Sequence, residues 1–430
     1  MALSYQEAKL IQDTIPALTD HGERITTTLY ITTTLYRRML RDHPELNNHF
    51  NPASLANGRM PRALMAVILN YASNINNITE LIPKLERMSH KHCSLGVMPE
   101  HYSIVAKYLI GAFAEVLGPA MTPSVIDAWT KAYWMLARML AGRESQLYRS
   151  FGRWQGYRQF RIEKKVEEAQ DVYSIYLVPV DGQPLPTFMP GQYVSVRVDL
   201  PAKGHHQSRQ YSLSDAPQQD YYRITIKRAG IKDHEFRNLG VVSNLLIDEK
   251  GNGDIVQLTH PAGDFFLDMD NPSNAPIVLI SAGIGLAPMI SILNAVSQRS
   301  PSRPISWIYG SHRDIPFHEH VRRTERSHPN LCVNMFQTQA AGPDQVCTIH
   351  RRHLNLAKVR SADLWLGNRS AEYYVCGPEE FMMEVARYLR AQSVDSGRLK
   401  FELFCVGDRE FKVDPLDLIR AESRAFCKET

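Results

Sequence analysis

The stretch LIPKLERMSHKHCSL at residues 81–95 sets the architecture of the first third of the chain. Leu81, Leu85 and Met88 recur at helical spacing, and the next step along this apolar stripe, seven residues after Leu85, is His92. His90 lies about 200° away around the same helix, on its polar side. A lone histidine on an apolar stripe is more often a core residue than a ligand. The stretch therefore predicts a helix and leaves the role of its histidine open.

Two further polar residues occupy apolar helical stripes later in the chain. In PEHYSIVAKYLIGAF, Tyr102 shares a face with Val105 and Leu109. Glu144 extends a stripe formed by Ile126, Trp129, Tyr133, Leu136 and Leu140. A carboxylate on a buried stripe needs a partner or a raised pKa. His92, Tyr102 and Glu144 would suit a haem-ligating imidazole with hydrogen-bonded neighbours, and three independent polar residues would explain the pattern equally well.

The sequence pattern changes twice along the chain. Residues 1–150 have helical periodicity and predict an all-α domain. Residues 151–270 contain short alternating runs such as GQYVSVRVDL and YYRITIKR, which predict an antiparallel β-barrel. Residues 271–407 begin with the unbroken apolar run APIVLISAGIGLAP and continue with strands that lead into helices, which predicts an α/β domain. Residues 408–430 are charged and predict a surface tail.

Composition argues against several classes of protein. The 430 residues leave room for two or three domains, and a net charge of +4 without a Lys/Arg block argues against a nucleic-acid partner. Six cysteines without metal-site or disulfide spacing suit a reducing compartment. The N-terminus resembles neither a signal nor a transit peptide, and no apolar run approaches membrane-spanning length. We expect a monomeric cytoplasmic protein without integral membrane association.

Two motifs of the β region suit a flavin nucleotide. SRQYSL at residues 208–213 supplies an arginine for a phosphate, and a tyrosine and a serine for an isoalloxazine ring or its ribityl chain. LGVVSNLL at residues 239–246 opens a helix at Gly240, where the backbone N–H groups near Val242 and Ser243 suit a pyrophosphate. Taken singly, each motif also fits an ordinary strand or an N-capped helix.

Two motifs of the α/β region suit a nicotinamide nucleotide. SAGIGLAP at residues 281–288 follows a buried strand and precedes a helix, and its glycines let the backbone approach a pyrophosphate. CGPEEFM places Cys376 and Gly377 at another strand end, near where a nicotinamide would stack. A 2′-phosphate would lie after the second strand, where the chain offers Ser311, His312 and Arg313. These side chains favour NADPH over NADH.

Nearly the whole chain resembles the flavohaemoglobin family, of the fungal type. The resemblance is carried by PELNNHFNP, ILNYASNINNITELIPKLERMSHKHCSLGVMPEHY and DAWTKAYWMLARMLAGRESQLY in the helical third, and downstream by GQY, SRQYSL, LGVVSNLL, SAGIGLAP, CGPEEFM and FELF. It implies an all-α globin domain, an antiparallel β-barrel FAD domain and an α/β NAD(P)-binding domain, both like those of ferredoxin reductases. It also implies haem b, FAD and NAD(P)H as cofactors, and an NAD(P)H-dependent nitric oxide dioxygenase that converts NO and O₂ to nitrate.

The resemblance also implies roles for single residues. His92 is then the iron ligand, and Tyr102 and Glu144 are its hydrogen-bonded relay. Further residues around the haem are Phe50 packed on it, Leu64 in the distal pocket and Lys91 beside the ligand. The implied FAD contacts are Tyr193, Arg209, Gln210, Tyr211, Ser212, Val242, Ser243, Glu402 and Phe404. The implied nucleotide turn consists of Gly283, Ile284, Gly285, Leu286, Ala287 and Pro288.

The hexapeptide ITTTLY occurs twice in succession, at residues 25–30 and 31–36. Six helical residues turn through about 600°, so the two copies cannot show the same face. The family places a distal tyrosine on this helix, and Tyr36, not Tyr30, keeps the family's distance to Phe50, so we predict Tyr36. The extra residues can be absorbed as a loop or as added N-terminal helix, and the Thr-rich first copy is easily left irregular. A duplication without function would explain the repeat equally well.

Two departures from the family pattern bear on activity. Met60 stands where relatives usually carry a glutamine, and a thioether cannot donate a hydrogen bond to a haem ligand. Cys405 follows FELF, where relatives commonly have glycine. Two alternatives therefore stand beside the dioxygenase: an NAD(P)H flavin or haem reductase with other electron acceptors, and a globin-type O₂ or NO sensor. The reductase half argues against the sensor, which needs no hydride path.

Overall fold

The computed structural model describes residues 3–19, 27–50, 55, 58–200, 205–229, 241–271, 273–338, 349–350 and 353–404. The described part of the first 150 residues forms the helices α1 (Tyr5–Leu18), α2 (Thr27–Asp42), α3 (Arg59–Ser73), α4 (Ile82–Leu95), α5 (Pro99–Leu117) and α6 (Pro123–Ser150). Ser4 caps α1 through a capping box with Glu7, and Thr122 caps α6. Prolines occupy the first positions of α5 and α6, where no backbone N–H is needed. The predicted all-α domain is confirmed.

The apolar stripes of these helices meet in one core. Phe113 of α5 and Trp129 of α6 pack edge to face, with ring centroids 4.8 Å apart. The prediction that Ile126 belongs to the buried stripe of α6 is wrong, because its side chain is 36% exposed. The first turn of α6 presents the neighbouring Val125 to the core instead.

The duplicated hexapeptide lies largely within α2. The helix begins at Thr27, inside the first copy, and continues through the second copy to Asp42. The expectation of an irregular first copy is therefore wrong from Thr27 onward. Residues 25 and 26 and the side chain of Tyr30 lie outside the described residues.

The second domain is an antiparallel sheet with one helix beside it. Its strands are β1 (Arg158–Ala169), β2 (Val172–Pro179), β3 (Tyr193–Leu200), β4 (His205–Ser212), β5 (Tyr222–Lys227) and β6 (Ile255–Leu258), in the order β4-β3-β6-β1-β2-β5. An isolated bridge between Leu213 and Ile224 joins the two edges and curls the sheet towards a closed barrel. The helix α7 (Val241–Asp248) follows β5 in the chain and buries Val242 and Leu246 in the same core.

The third domain is a parallel sheet with helices. Its strands are β7 (Ile277–Ala282), β8 (Ile305–Ser311), β9 (Leu331–Gln337), β10 (Ile349–His350), β11 (Glu372–Cys376) and β12 (Leu399–Glu402), in the order β10-β9-β8-β7-β11-β12. The helices α8 (Leu286–Arg299), α9 (His318–Ser327) and α10 (Glu379–Ala391) connect them. The strand order reverses between β7 and β11, and ligands of open α/β sheets bind at such a switch point. The domain limits at residues 150, 270 and 407 stay predictions, and the tail at 408–430 lies outside the described residues.

One helix corrects the expectation about membrane-spanning length. Residues Pro99–Ala120, which include α5, are long and apolar enough to cross a membrane by length and composition alone. This is weak evidence, because the core helix of a soluble protein passes the same test. Here Leu109, Phe113 and Leu117 of α5 are buried in the helical core.

Candidate functional site

His92 lies at the centre of a hydrogen-bonded cluster that joins three helices. Its Nδ1 atom is 2.7 Å from Glu144 Oε1 and 3.0 Å from the Tyr102 hydroxyl oxygen. The Tyr102 hydroxyl donates to the same Glu144 oxygen at 2.6 Å, and the Tyr133 hydroxyl donates to the Tyr102 carbonyl at 2.7 Å. Glu144 is only 2% exposed. The structure thus brings together the three polar residues that the sequence distributes over separate apolar stripes.

The geometry of this cluster fixes where its protons lie. A carboxylate only accepts hydrogen bonds, so Tyr102 and the Nδ1–H group of His92 both donate to Glu144. Burial and the neighbouring Glu144 raise the pKa of Tyr102, which keeps the phenol protonated. A neutral imidazole protonated on Nδ1 leaves the Nε2 lone pair available, and Nε2 has no hydrogen-bond partner within the described residues. This donor set fits a haem, whose axial histidine typically donates its other N–H to a carboxylate.

Tyr36 lies in α2, 8% exposed, and its ring packs edge to face on Phe50 with centroids 5.3 Å apart. Burial raises the pKa of Tyr36, so its hydroxyl stays a hydrogen-bond donor. That hydroxyl has no hydrogen-bond partner in the part of the chain described. Leu64 and Met60 of α3 are partly buried against the same helical core. The predicted distal residues thus occupy one core, with one buried donor available to a small ligand.

Residues predicted from two separate motifs meet in the second domain. The Tyr211 hydroxyl of β4 lies 2.9 Å from Ser243 Oγ of α7. The neighbouring Ser212 Oγ is buried without a hydrogen-bond partner among the residues described. A buried hydroxyl without a partner calls for a polar ligand, and the ribityl chain or phosphates of FAD would satisfy it. The residues present therefore fit this cofactor.

The remaining predicted flavin residues lie around these hydroxyls. Tyr193 of β3 and Val242 of α7 are buried. Arg209 donates to the Ser208 carbonyl at 2.7 Å. The Gln210 amide donates to Ser94 Oγ of α4 at 2.7 Å, which joins the first domain to the second, and its contact with the flavin stays a prediction. Gly240 lies outside the described residues.

Glu402 and Phe404 lie at the end of the last strand. Glu402 of β12 pairs in register with Cys376 of β11, and both are buried. Burial, and to a smaller extent Asp264, raise the pKa of Glu402 to about 7, although Arg87 and Lys91 oppose the shift. Burial also raises the pKa of Cys376 well above its usual range, so this residue is a thiol. Phe404 packs on the third-domain core, and Cys405 lies outside the described residues.

The predicted nucleotide turn touches the end of β11. A Cβ atom on Gly285 would lie 2.3 Å from the Cys376 carbonyl oxygen and 2.9 Å from the Gly377 nitrogen, so only glycine fits. Gly283 has φ +56°, in the left-handed region that glycine adopts readily. The turn leads through Ile284 into α8, whose first residues are Leu286, Ala287 and Pro288. The loops after β7 and β11 thus meet at the switch point, which suits a dinucleotide.

The residues proposed to contact a 2′-phosphate follow β8, the neighbour of β7. Ser311 Oγ donates to the Asp314 carbonyl at 2.7 Å, and His312 Nδ1 lies 2.6 Å from Thr338 Oγ1. Arg313 donates to Gln170 Oε1 at 3.2 Å. His312 and Arg313 are exposed and follow β8, which pairs with β7, the strand that leads into the nucleotide turn.

His90 lies on the face of α4 opposite the apolar stripe, as predicted, but this polar face is not exposed to solvent. His90 is 6% exposed, because the loop at Gly263 of the second domain covers it. The Gly263 N–H donates to His90 Nδ1 at 3.0 Å, and burial lowers the pKa of His90. Periodicity within one helix cannot reveal a partner from another domain.

Arg87 is a second interface residue that sequence reasoning missed. Its Nε lies 3.2 Å from Asp264 Oδ2, and an Nη atom donates to the Phe401 carbonyl at 3.3 Å. Arg87 thus connects α4 with both C-terminal domains. The spacing of Arg87, His90 and Ser94 opposite the apolar stripe is the signal that could have revealed this face.

Comparisons with protein families match two parts of the chain. The globin family matches residues 33–140, and the oxidoreductase NAD-binding domain family matches residues 279–387. Among curated relatives, a flavohemoprotein of Deinococcus radiodurans is 39% identical over 94% of this chain and 97% of its own length. A flavohemoprotein of Bacillus subtilis is 35% identical over 94% of this chain and 97% of its own length.

Two solved structures are similar as well. A flavohemoglobin from Malassezia yamatoensis with bound FAD and heme has a TM-score of 0.80 and 26% identity, over 94% of this chain and all of the other. The FAD/NAD binding domain of a nitric oxide dioxygenase from Vibrio cholerae has a TM-score of 0.51 and 30% identity, over 57% of this chain and 98% of its own. The first similarity spans all three domains, and the second spans only part of the chain.

Proposed function

The chain belongs to the flavohaemoprotein family, and from this premise we propose that it is an NAD(P)H-dependent nitric oxide dioxygenase converting NO and O₂ to nitrate. It is an oxidoreductase with haem, FAD and NAD(P)H as cofactors. When bound, NAD(P)H supplies a hydride, FAD divides it into single electrons, and the haem iron provides the site at which O₂ and NO react.

The residues of the first domain would hold the haem and its ligand. Glu144 and Tyr102 hold the His92 ring in one orientation and keep the Nδ1 proton, which raises the basicity of Nε2, the atom that would bind the iron. The Tyr36 hydroxyl would donate a hydrogen bond to a small ligand, and the apolar Phe50 and Leu64 would help to exclude water.

The residues of the other two domains hold the nucleotides. Tyr211, Ser212 and Ser243 offer hydroxyl groups to the flavin nucleotide. The turn at Gly283 and Gly285 brings the backbone close to the end of β11, where a nicotinamide would face the flavin.

The observation that carries the proposal is the His92, Tyr102 and Glu144 cluster in a helical domain joined to a hydride-handling reductase. The test is aerobic NO consumption on an NO electrode by the chain loaded with haem and FAD and supplied with NADPH. Fast consumption that stops without O₂ is expected. Slow consumption despite rapid NADPH oxidation with an artificial acceptor would contradict it and would favour the reductase, with Met60 as the disabling residue.

The preference for NADPH belongs to the same proposal. It is supported by the exposed His312 and Arg313 at the end of β8, the neighbour of β7, since a guanidinium pairs well with a phosphate. An Arg313→Leu variant is expected to raise KM for NADPH and leave KM for NADH unchanged. Equal changes for both nucleotides would contradict the preference.

The proposal has three further parts. NO is the substrate, the protein is a monomer, and it lies in the cytoplasm. Six cysteines without disulfide spacing support the location. The fungal subtype stays a prediction, since the curated relatives named above come from bacteria. Size-exclusion chromatography with light scattering would check the monomer.

A further inference from the structure

The helix α4 presents one face to its own domain and the opposite face to the two C-terminal domains. Leu85, Met88 and His92 face the helical core of the first domain, and Leu85 and Met88 pack against it. Arg87, His90 and Ser94 recur at steps of three and four residues on the opposite face and contact the two C-terminal domains. One helix therefore separates the predicted haem site from the flavin side of the molecule.

His90 makes the most buried of these interdomain hydrogen bonds. The Gly263 backbone N–H can only donate, so the Nδ1 atom of His90 must accept, at 3.0 Å. A neutral imidazole that accepts at Nδ1 carries its proton on Nε2, which lies 3.2 Å from Glu86 Oε1 and donates to it. Both ring nitrogens are thus used, one across the domain boundary and one within α4.

Glu86 is itself held in place by α6. Arg143 donates to Glu86 Oε2 through Nε at 2.7 Å and to Oε1 through Nη2 at 2.6 Å, a bidentate pair. Arg143 immediately precedes Glu144, which accepts the hydrogen bond of His92. The hydrogen bond to Gly263 is therefore anchored on the same two helices that position the predicted iron ligand.

On the other side of the boundary, Gly263 lies against a predicted flavin contact. Gly263 has φ +124°, and a Cβ atom there would lie 3.0 Å from Cε1 of the Tyr193 ring. The Tyr193 N–H donates to the Ala262 carbonyl, and the Ala262 N–H donates to the Tyr193 carbonyl, each at 2.9 Å. A displacement of the Gly263 backbone would therefore move Tyr193.

We propose that His90 is a positioning residue for electron transfer between the domains: it holds the Gly263 loop, and with it the flavin contact Tyr193, at a fixed distance from the helix of His92. This role rests on the proposed function only in requiring that electrons pass from flavin to haem. His90 itself transfers no electron or proton.

The first experiment separates the two electron-transfer steps in the holoenzyme. Anaerobic stopped-flow mixing with NADPH under CO would follow flavin bleaching and then formation of the ferrous CO spectrum. In His90→Leu, haem reduction is expected to slow by about 10-fold or more, since small misplacements of reacting groups cost rates of this size, while flavin bleaching keeps its rate. In His90→Gln, whose side-chain carbonyl can accept from Gly263 and whose amide can donate to Glu86, the rate is expected to recover.

The matched control is His353→Leu, the same substitution at an exposed position of the third domain, which should leave both rates unchanged. If His90→Leu fails to retain haem or FAD, Glu86→Leu is used instead. This variant removes the carboxylate that holds Nε2 of His90, at a position that is partly exposed rather than buried. Haem reduction at the wild-type rate in His90→Leu, or in Glu86→Leu where that variant replaces it, would overturn the proposal. A His90→Gln variant as slow as His90→Leu would overturn it as well.

A second readout needs no turnover. Trypsin cleavage at the exposed Arg153, between α6 and β1, should be faster in His90→Leu than in wild type and His90→Gln if the domains separate more often. Equal cleavage in all three would overturn the proposal. Because both readouts use neither NO nor O₂, they stay informative even if the chain proves not to be a dioxygenase.

Discussion

Glu144 accepts two hydrogen bonds on a single carboxylate oxygen, and the two donors come from different helices. Tyr102 reaches Oε1 from α5 and His92 reaches it from α4. Because the carboxylate is buried, these bonds act in a low-dielectric environment and hold the imidazole firmly. The chemistry expected of His92 therefore depends on a residue fifty-two positions away.

A Glu144→Gln variant tests this dependence. The amide keeps the size of the side chain but lacks the negative charge, so Nε2 of His92 becomes less basic and binds iron less tightly. Haem loss, measured by transfer to excess apomyoglobin, is expected to be about 10- to 100-fold faster. A Tyr102→Phe variant removes only one donor and should show a smaller effect. Unchanged haem loss in Glu144→Gln, with an unchanged circular dichroism spectrum, would contradict the role of Glu144.

Tyr36 provides the second residue-scale prediction. The Tyr36→Phe variant lacks the hydroxyl, which is the distal hydrogen-bond donor identified among the described residues. The rate of NO consumption is therefore expected to fall on the order of 100-fold, as it does when other active sites lose a donor. Tyr30→Phe, in the other copy of the hexapeptide, is the matched control and should retain the rate. The reverse pattern would show that the register assigned to the repeat is wrong.

At the scale of single elements, helical periodicity predicted the faces of α4, α5 and α6 that point into their own domain. It identified His92, Tyr102 and Glu144, because each lies on a stripe that its own helix defines. It placed His90 on the opposite face but could not show that this face is covered, because the partner Gly263 belongs to a domain more than a hundred residues later. Contacts across domain boundaries depend on how folded surfaces match, and local sequence carries little of that information.

The turn between β7 and α8 leads to a prediction about packing. An alanine at Gly285 would force its Cβ against the Cys376 carbonyl, where backbone atoms cannot easily move. Gly285→Ala is therefore expected to raise KM for NADPH at least about 10-fold, in line with the cost of small misplacements in binding sites. Gly367→Ala, in the same domain with open space around the new Cβ, is the control. Equal KM values for both variants would contradict the close approach.

The helix α5 offers a stabilising substitution. Gly111 lies in its middle, exposed, and a Cβ atom there would meet nothing within 4 Å. Since glycine is a poor helix former, Gly111→Ala is expected to increase the free energy of unfolding of the first domain by about 0.5–1 kcal/mol. Urea unfolding followed by the haem absorbance would measure it, and a lower midpoint would show that the helix needs glycine at this position.

For the whole molecule, the order of the three domains followed from the sequence because each has its own periodicity and motifs. Their mutual placement did not, because the contacts of Arg87, His90 and Gln210 join segments that are far apart in the chain. The sequence predicted those parts of the candidate site that lie within a single domain, such as His92 and the Gly285 turn. The boundary between flavin and haem became visible only in the structure.

A partly buried histidine at the junction of the first two domains predicts how stability depends on pH. Burial lowers the pKa of His260, which stacks on Phe151 with centroids 4.2 Å apart at the junction of the first two domains. The imidazole stays neutral in the folded state, whereas the unfolded chain takes up a proton near pH 6.5. The contribution of His260 to the free energy of unfolding is therefore fully present above that pH and is lost as the pH falls. Glu402, with its raised pKa, acts in the opposite sense over the same range.

A His260→Phe variant isolates the contribution of this histidine. The ring stack is kept, so the unfolding midpoint in urea should fall less between pH 7.5 and 5.5 in the variant than in wild type. An identical fall in both proteins would mean that His260 already takes up its proton in the folded state.

The repeat within α2 determines what a deletion of six residues would do to the chain. Because the two hexapeptides are identical and adjacent, deleting either one yields the same polypeptide, in which ITTTLY is followed directly by Arg37. Such a deletion shortens α2 by about 9 Å at its outer end and leaves every residue from Tyr36 onward in its place relative to Phe50. The predicted haem pocket therefore needs only one of the two copies, the one that ends next to Arg37 and supplies the distal tyrosine.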